Sequence, residues 1–473
     1  MNGVTSFAPI LTLSLGSLVY LVTGKLLERT KLAAILAFGL VVAAIAMLGI
    51  IPDSIGETEY GLIVNDFSRL LAVLACVGAL VSLVSTRAAV EGEGIDTLNE
   101  YYFLALTSLS GALVMIFCSD FLSLFIGVEV ASLALYCLCG ARIHRGVSAE
   151  SSMKYFLLGC FSSAFLLLGI ALWYGATGSL SMVPVAAVPY NAMIFLSFLM
   201  MLVGLAFKVG LAPFHFWVPD VYQGAPTSVT TFMSCVVKVA AFAALLKVLV
   251  LGFTYPQPWS FGALWVLAVL AMTLGNLAAL QQRSIKRMLA YSSVAQAGYM
   301  LVGIVSTEFG SDGVAATLFY LVSYCAMTIG SFAALAAVGP DADGVESIHG
   351  LGKRSPLLAG CLTVFFLGMA GLPPSMAGLT AKLFVFSEAL SAGLYGLAII
   401  AVLNSALACA YYFRIPVAAF FQSAPAQQAQ PISVPLTTAL ALVLCAAAVV
   451  LLGLFPEPLL ALVRDAADSL VGP

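Results

Sequence analysis

Glu129, Lys154, Lys208, Lys238 and Lys382 lie inside stretches that are otherwise nearly free of charge. An ionisable group in the middle of a bilayer costs roughly 2.5–3.5 kcal/mol on insertion scales, and such groups usually face a bundle interior or a wet cavity. Amines lose their proton more readily when buried and hold it more tightly beside a carboxylate. A lysine partly desolvated and paired with a glutamate is therefore a switchable proton site. Glu129, in Phe125-Ile126-Gly127-Val128-Glu129-Val130, is the only acidic residue deep in a regular apolar run and is expected to partner Lys208. A static ion pair is the alternative, although such pairs seldom improve on apolar packing. His215 carries an imidazole, which ordinarily titrates near 6.5, and is expected to relay protons between the lysines. Lys238 and Lys382 extend the line of bases. The polar run Tyr291-Ser292-Ser293-Val294-Ala295-Gln296 either holds water between them or packs helices together.

The elements that must position these groups follow from composition. The chain has 473 residues, of which 62% are hydrophobic and 9% charged, with a mean hydropathy of +1.09. A soluble domain of that make-up could not cover its own surface with polar groups, so an all-α polytopic membrane protein is expected. Apolar windows near 4–24, 32–51, 67–86, 101–118, 120–140, 152–175 and 191–212 are followed by others near 226–253, 260–280, 287–306, 313–338, 356–390, 393–413 and 434–455. That makes about fourteen spans. Odd-numbered loops hold Lys25, Arg29, Lys31, Arg87, Arg142, Arg145, Arg283, Lys286, Arg287, Lys353, Arg354 and Arg414, while the even-numbered side holds only Arg69 and Arg464. By the positive-inside rule both termini face away from the cytoplasm. Lys154 and Lys247 lie nearer span ends, where a long stem can snorkel; Lys247 is read that way and left outside the site. No removable signal peptide is expected.

Two spans, 191–224 and 356–390, are irregular. One reads Val209-Gly210-Leu211-Ala212-Pro213-Phe214 and the other Ala370-Gly371-Leu372-Pro373-Pro374-Ser375. Each breaks a helix near mid-membrane with a lysine close by, and freed backbone groups at that depth must be satisfied by protein or water. The breaks are five spans apart, an odd offset that places the two copies in opposite orientation, as in inverted-repeat transporters. The segment from Pro213 to Pro226 also holds Asp220, Tyr222 and Gln223, which read as lining a hydrated pocket or as an ordinary polar surface loop. The expected divisions are an N-terminal three-helix segment (1–100), a first five-helix repeat (101–253), a second inverted repeat (260–413), and a C-terminal helix and tail (434–473).

The ten cysteines, among them Cys137 and Cys139, lie in or beside apolar runs and form no Cys-x-x-Cys pair. They are expected to be small buried hydrophobes, with no iron–sulfur cluster and no disulfide. No glycine-rich dinucleotide fingerprint follows a strand.

Several segments together resemble the antiporter-like membrane subunits of NADH–quinone oxidoreductase (respiratory complex I), and among them the subunit N branch. They are Lys154-Tyr155-Phe156-Leu157-Leu158-Gly159, the run Phe207 to Trp217, Pro219 to Thr227, Arg283 to Ser293, and Gly371-Leu372-Pro373-Pro374. The resemblance covers nearly the whole chain, and Tyr222-Gln223-Gly224-Ala225-Pro226 is the form of the N branch. It implies fourteen helices, two inverted five-helix repeats, and broken helices seven and twelve. It implies proton-transfer roles for Glu129, Lys208, Lys238 and Lys382, and it matches Lys154 and His215 to functional positions. Lys382 argues against the branch that has glutamate there. With 18 residues after Phe455, the branch with an added lateral helix is not expected.

The function so implied is a proton-translocating subunit of the bacterial inner (plasma) membrane. It would contain no redox centre of its own, with flavin, iron–sulfur clusters and quinone held by other subunits. Its partners would be sister antiporter-like subunits, the lipid bilayer, protons and water, and not nucleic acid. The rival readings are a subunit of a multisubunit sodium/proton antiporter, or of a hydrogenase- or ferredoxin-linked homologous complex.

Overall fold

The computed structural model describes residues 6–26, 31–51, 61–95, 97–182, 191–253, 258–306, 310–340, 342–424 and 430–472. Arg29, counted above among the loop cations, lies outside them. The described residues are helical with three isolated β-bridges and no extended sheet. In chain order the helices are α1 (Ala8–Leu26), α2 (Lys31–Leu48), α3 (Asp66–Gly92), α4 (Leu98–Phe117), α5 (Phe121–Cys139) and α6 (Gly146–Thr177). Next come α7 (Ala192–Val209), α8 (Trp217–Gly224), α9 (Thr227–Lys247, running on as a π turn to Gly252), α10 (Pro258–Leu280), α11 (Ile285–Ser306) and α12 (Ser311–Val338). The last are α13 (Pro356–Ala370), α14 (Ala377–Ser391), α15 (Tyr395–Tyr412), α16 (Arg414–Phe421), α17 (Leu436–Leu454) and α18 (Glu457–Val471).

Among the described residues eleven helices are long and apolar enough to cross a bilayer, and three shorter apolar stretches join them, Ala8–Gly24, Leu32–Leu48 and Pro356–Ala370. Polar side chains cap the helix starts where the chain turns back. Asn65 forms a capping box with Ser68 at α3, Asp120 accepts from the Ser123 amide at α5, and Asn191 accepts from the Ile194 amide at α7.

Burial sorts the spans into an inner and an outer set. The spans built on α9 and α11 are 89% and 94% buried, against 39% for α6 and 28% for α17. The reason is in the residues: α11 carries Ser292, Ser293 and Gln296 inward, whereas α17 turns Leu440, Val443, Leu444 and Leu451 outward. Small residues draw the helices together. A methyl group at Gly111 on α4 would lie 2.4 Å from the Ala131 nitrogen on α5, and one at Gly275 on α10 would lie 2.7 Å from the Ala295 nitrogen on α11.

The tail takes on a definite form, and two expectations, on the cysteines and on Lys247, are corrected. The tail after Phe455 is the amphipathic helix α18, whose Leu459, Leu460, Val463, Ala466, Ala467 and Leu470 are buried. It docks on the start of α3, where Asn65 donates to the Ser469 carbonyl (2.9 Å) and the Phe67 amide donates to the Ser469 hydroxyl (3.0 Å). Its apolar residues recur at helical spacing rather than as a continuous run, so a search for membrane-length windows passes over it. The cysteines are all free thiols, but Cys137 and Cys160 are exposed and Cys409 is half-buried. Lys247 does not snorkel: it is fully buried, and its ammonium donates to the Cys118 carbonyl at the end of α4 (2.9 Å).

Candidate functional site

Both helix breaks are built the same way. At the first, Gly210 adopts φ +82°, its amide donates to the Ala206 and Phe207 carbonyls, and the Leu211 amide donates to Ala206. At the second, Gly371 adopts φ +84°, its amide donates to Leu367 and Gly368, and the Leu372 amide donates to Leu367. A left-handed glycine closing the last turn is the expected stop, because any side chain there is strained. The stop leaves the final carbonyls of α7 and α13 pointing into the bundle at the negative end of a helix dipole, where a cation is favoured.

A lysine fills each position. The Lys238 ammonium, from α9, donates to the Val209 carbonyl (2.9 Å) and to the Ser293 carbonyl of α11 (3.0 Å), and lies 5.6 Å from the Tyr324 ring centre. The Lys382 ammonium, from α14, donates to the Met369 and Ala370 carbonyls (3.0 Å each) and to the Ser405 hydroxyl (3.0 Å), and lies 5.4 Å from the Tyr299 ring centre. Both side chains are buried. A methyl at Gly371 would be in ordinary contact with the Lys382 nitrogen (3.5 Å), and one at Gly210 would press on the Val218 side chain (3.1 Å).

Lys208, in the last turn of α7, is buried against α5. Its ammonium donates to the Ser132 hydroxyl (2.8 Å) and, at longer range, to the Tyr136 hydroxyl (3.4 Å). Glu129 is one helical turn before Ser132 on α5, and its carboxylate accepts from the Ser163 hydroxyl of α6. The expected partnership is therefore close but indirect: Ser132 receives the ammonium, and Glu129 turns to Ser163. Ser132 in turn donates to the Val128 carbonyl (2.5 Å).

The polar run of α11 joins the two lysine cradles through side chains. Ser293 belongs to the Lys238 cradle. Gln296 donates to the Met369 carbonyl (3.4 Å), the oxygen that Lys382 also uses, and to the Tyr412 hydroxyl (2.9 Å). Tyr320 donates to the Gln296 amide oxygen, and Ser292 pairs with Tyr412. Lys208 and Val209 are sequence neighbours at the end of α7, so the group around Glu129, Ser163, Ser132 and Lys208 adjoins, through that backbone, the group of Lys238, Ser293, Gln296 and Lys382.

Lys154 and His215 lie to one side of this row. Lys154 is 43% exposed and bonds Glu150 (2.7 Å) and Asp220 (2.8 Å). Asp220 also binds Arg287 of α11 (2.7 Å). Arg287 donates to Gln223 (3.2 Å), which donates to Asp343 (2.9 Å), and Ser284 donates to Asp343. Asp220 and Gln223 thus hold α8 to the start of α11. His215 stacks on Phe216 (5.3 Å) and meets the edge of Tyr291 (6.1 Å), over which Arg287 lies (6.0 Å), so its described ring contacts are at the Asp220 end rather than with a lysine.

Glu93 is a charged residue that the sequence reading missed. It is buried at the end of α3 and accepts from the Thr227 amide (2.7 Å) and the Ser228 hydroxyl (2.6 Å) at the positive end of α9. Arg142 approaches the same carboxylate (3.2 Å) and donates to the Pro340 carbonyl (3.2 Å). Glu93 closes the helix that carries Lys238. Its sequence surroundings, Val90-Glu91-Gly92-Glu93-Gly94, read as a solvated turn and carry no sign of this.

Residues 118–408 match the family described as NADH:quinone oxidoreductase/Mrp antiporter, transmembrane. A protein of Trichlorobacter lovleyi named NADH-quinone oxidoreductase subunit N is 43% identical over 379 residues, 78% of this chain and 77% of that one. Among solved structures, a chain of respiratory complex I from Thermus thermophilus is similar with a TM-score of 0.82 at 35% identity, covering 96% of this chain and 98% of that chain. A chain of the archaeal membrane-bound sulfane sulfur reductase is similar with a TM-score of 0.87 at 26% identity, covering 99% and 98%.

Proposed function

This chain belongs to the NADH:quinone oxidoreductase/Mrp antiporter membrane family, among relatives named subunit N, and from that premise we propose that it carries protons across the membrane arm of an NADH–quinone oxidoreductase. The observation that carries this reading is the Lys238 ammonium, bonded at once to the broken end of α7 and to α11. A single titratable group touches both halves of the polar row. Protonated Lys208, released when Glu129 moves or is neutralised, passes its proton toward Lys238, and the Ser293–Gln296 side of α11 leads on to Lys382 and the outer face. Lys154, Asp220 and His215 serve the entrance. Fourteen spans in two inverted five-helix repeats, with divisions at 1–100, 101–253, 260–413 and 434–473, fit the matching stops at Gly210 and Gly371, and the basic loops put both termini outside the cytoplasm. Electron transfer takes place on cofactors of other subunits, and sister antiporter-like subunits are the neighbours within the bacterial inner membrane. Tyr222-Gln223-Gly224-Ala225-Pro226 and Lys382 favour this role over a stand-alone sodium/proton antiporter.

The test is the assembled complex in proteoliposomes, with proton uptake and NADH oxidation followed together. Lys208→Ala and Glu129→Ala are expected to lower proton transfer on the order of a hundredfold through this subunit, the scale of a lost proton-transfer group, with assembly on a native gel retained. Full pumping by assembled variants would refute the assignment.

A further inference from the structure

Lys208 is one partner short. An ammonium has three donors, and its described acceptors are Ser132 at 2.8 Å and Tyr136 at a long 3.4 Å. Beside it, between α4, α5, α7 and α9, lies a small cavity of about 10 Å³, room for about one water molecule; Ser108, Ser132 and Lys208 are its polar lining and the rest is apolar. Ser108 is fully buried on α4, and its hydroxyl has no hydrogen-bond partner among the described residues. The buried Ser323 hydroxyl on α12 is likewise without a partner among the described residues, but Ser108 shares its cavity with a lysine. Thr107 next to it bonds the Phe103 carbonyl, as Ser132 bonds Val128, and a buried polar atom without a partner is costly. Ala112 and Met115 of α4 line the same space, and the close approach of Gly111 to Ala131 holds α4 near enough to α5 for Ser108 and Ser132 to share it.

We propose that Ser108 is a positioning residue that holds one water molecule against Lys208. The water accepts from the third N–H of the ammonium and exchanges a hydrogen bond with the Ser108 hydroxyl, which completes both groups in one step. Ser132 supplies a further acceptor, giving the water about the three partners that buried waters usually have. The charged form of Lys208 is then solvated from α4 as well as from α5. The proposal deepens the proton-transfer reading of Lys208 and rests on it.

The test uses the intact complex and two isosteric variants. In a cryo-EM map that resolves ordered water, density is expected within hydrogen-bond distance of both the Lys208 Nζ and the Ser108 Oγ. Ser108→Thr keeps the hydroxyl and is expected to pump like the parent, whereas Ser108→Val, of the same shape, is expected to lose roughly twofold to tenfold in pumping at matched NADH oxidation, the scale of one hydrogen bond. Equal pumping by the two variants, or a map without the water, overturns the proposal. Should neither variant assemble, Ser108→Ala decides: loss of the water density supports the proposal, and density unchanged in place overturns it. Lys208→Ala measured alongside separates the two claims. If it pumps normally, the proton-transfer reading of Lys208 fails; if it is impaired while Ser108→Val matches Ser108→Thr, only the water-holding role of Ser108 fails.

Discussion

The first and second helix breaks share a backbone and differ in charge. Gly210 and Gly371 close α7 and α13 with nearly identical geometry, and a lysine nitrogen sits on the exposed carbonyls in both cases. Two residues before the glycine, however, the first break has Lys208 and the second has Met369. On the neighbouring helix, Glu129 stands two residues before Ala131, which packs on Gly111, whereas Ser293 stands two residues before Ala295, which packs on Gly275. The lysine itself arrives from a different place, α9 at the first break and α14, just past the break, at the second. The shared part, a helix end that cradles an ammonium, comes from the backbone. The carboxylate and the second amine belong to the first half alone. A half with both can be switched by moving charge, while a half with one ammonium on three fixed oxygens is suited to receive and hand on a proton.

The comparison can be broken at the glycines. Gly371→Ala and Gly210→Ala each place a side chain in the left-handed region, costing about 1–2 kcal/mol, and should lower the thermal midpoint of the purified complex. Gly210→Ala is expected to cost more, since its methyl would press on the Val218 side chain at 3.1 Å, whereas the Gly371 methyl would only come into ordinary contact with the Lys382 side chain at 3.4 Å. Equal losses would mean that the two stops tolerate an added side chain alike. A smaller effect is expected at the α8–α11 contact. Asp220→Asn removes the charge between Lys154 and Arg287, all three being partly exposed, and should change stability by less than about 1 kcal/mol. A large loss of assembly would show that this contact, rather than the buried row, holds the two halves together.

Much of this is legible in the sequence itself. The long apolar windows located the helices, and the Gly-Leu-Ala-Pro and Gly-Leu-Pro-Pro runs located both breaks, because positive φ and a missing amide are local properties of glycine and proline. Depth in a span identified Lys208, Lys238 and Lys382 as buried, since only the ends of a span allow a stem to reach water. That rule misjudged Lys247, because the Cys118 carbonyl at the end of α4 gives its ammonium a buried acceptor that no sequence distance reveals. Pairing was the least legible part. Lys208 reaches α5 from α7, but which hydroxyls it and Glu129 meet depends on helix rotation, and so Ser132, Tyr136 and Ser163 are not legible in the sequence. Glu93 was hidden for the same reason, its partners being the first turn of α9, 134 residues further along the chain. The role of Ser293 and Gln296 was only half legible, as water-holding and helix-packing readings predict the same residues.

The central claim is that one ammonium couples the two halves. It is tested most directly by the number of protons moved per electron pair when Lys238→Met complex, assembled in proteoliposomes, oxidises NADH. The account predicts continued electron transfer with fewer protons moved, because the link between Val209 and Ser293 is gone. An unchanged ratio in fully assembled complex would contradict it.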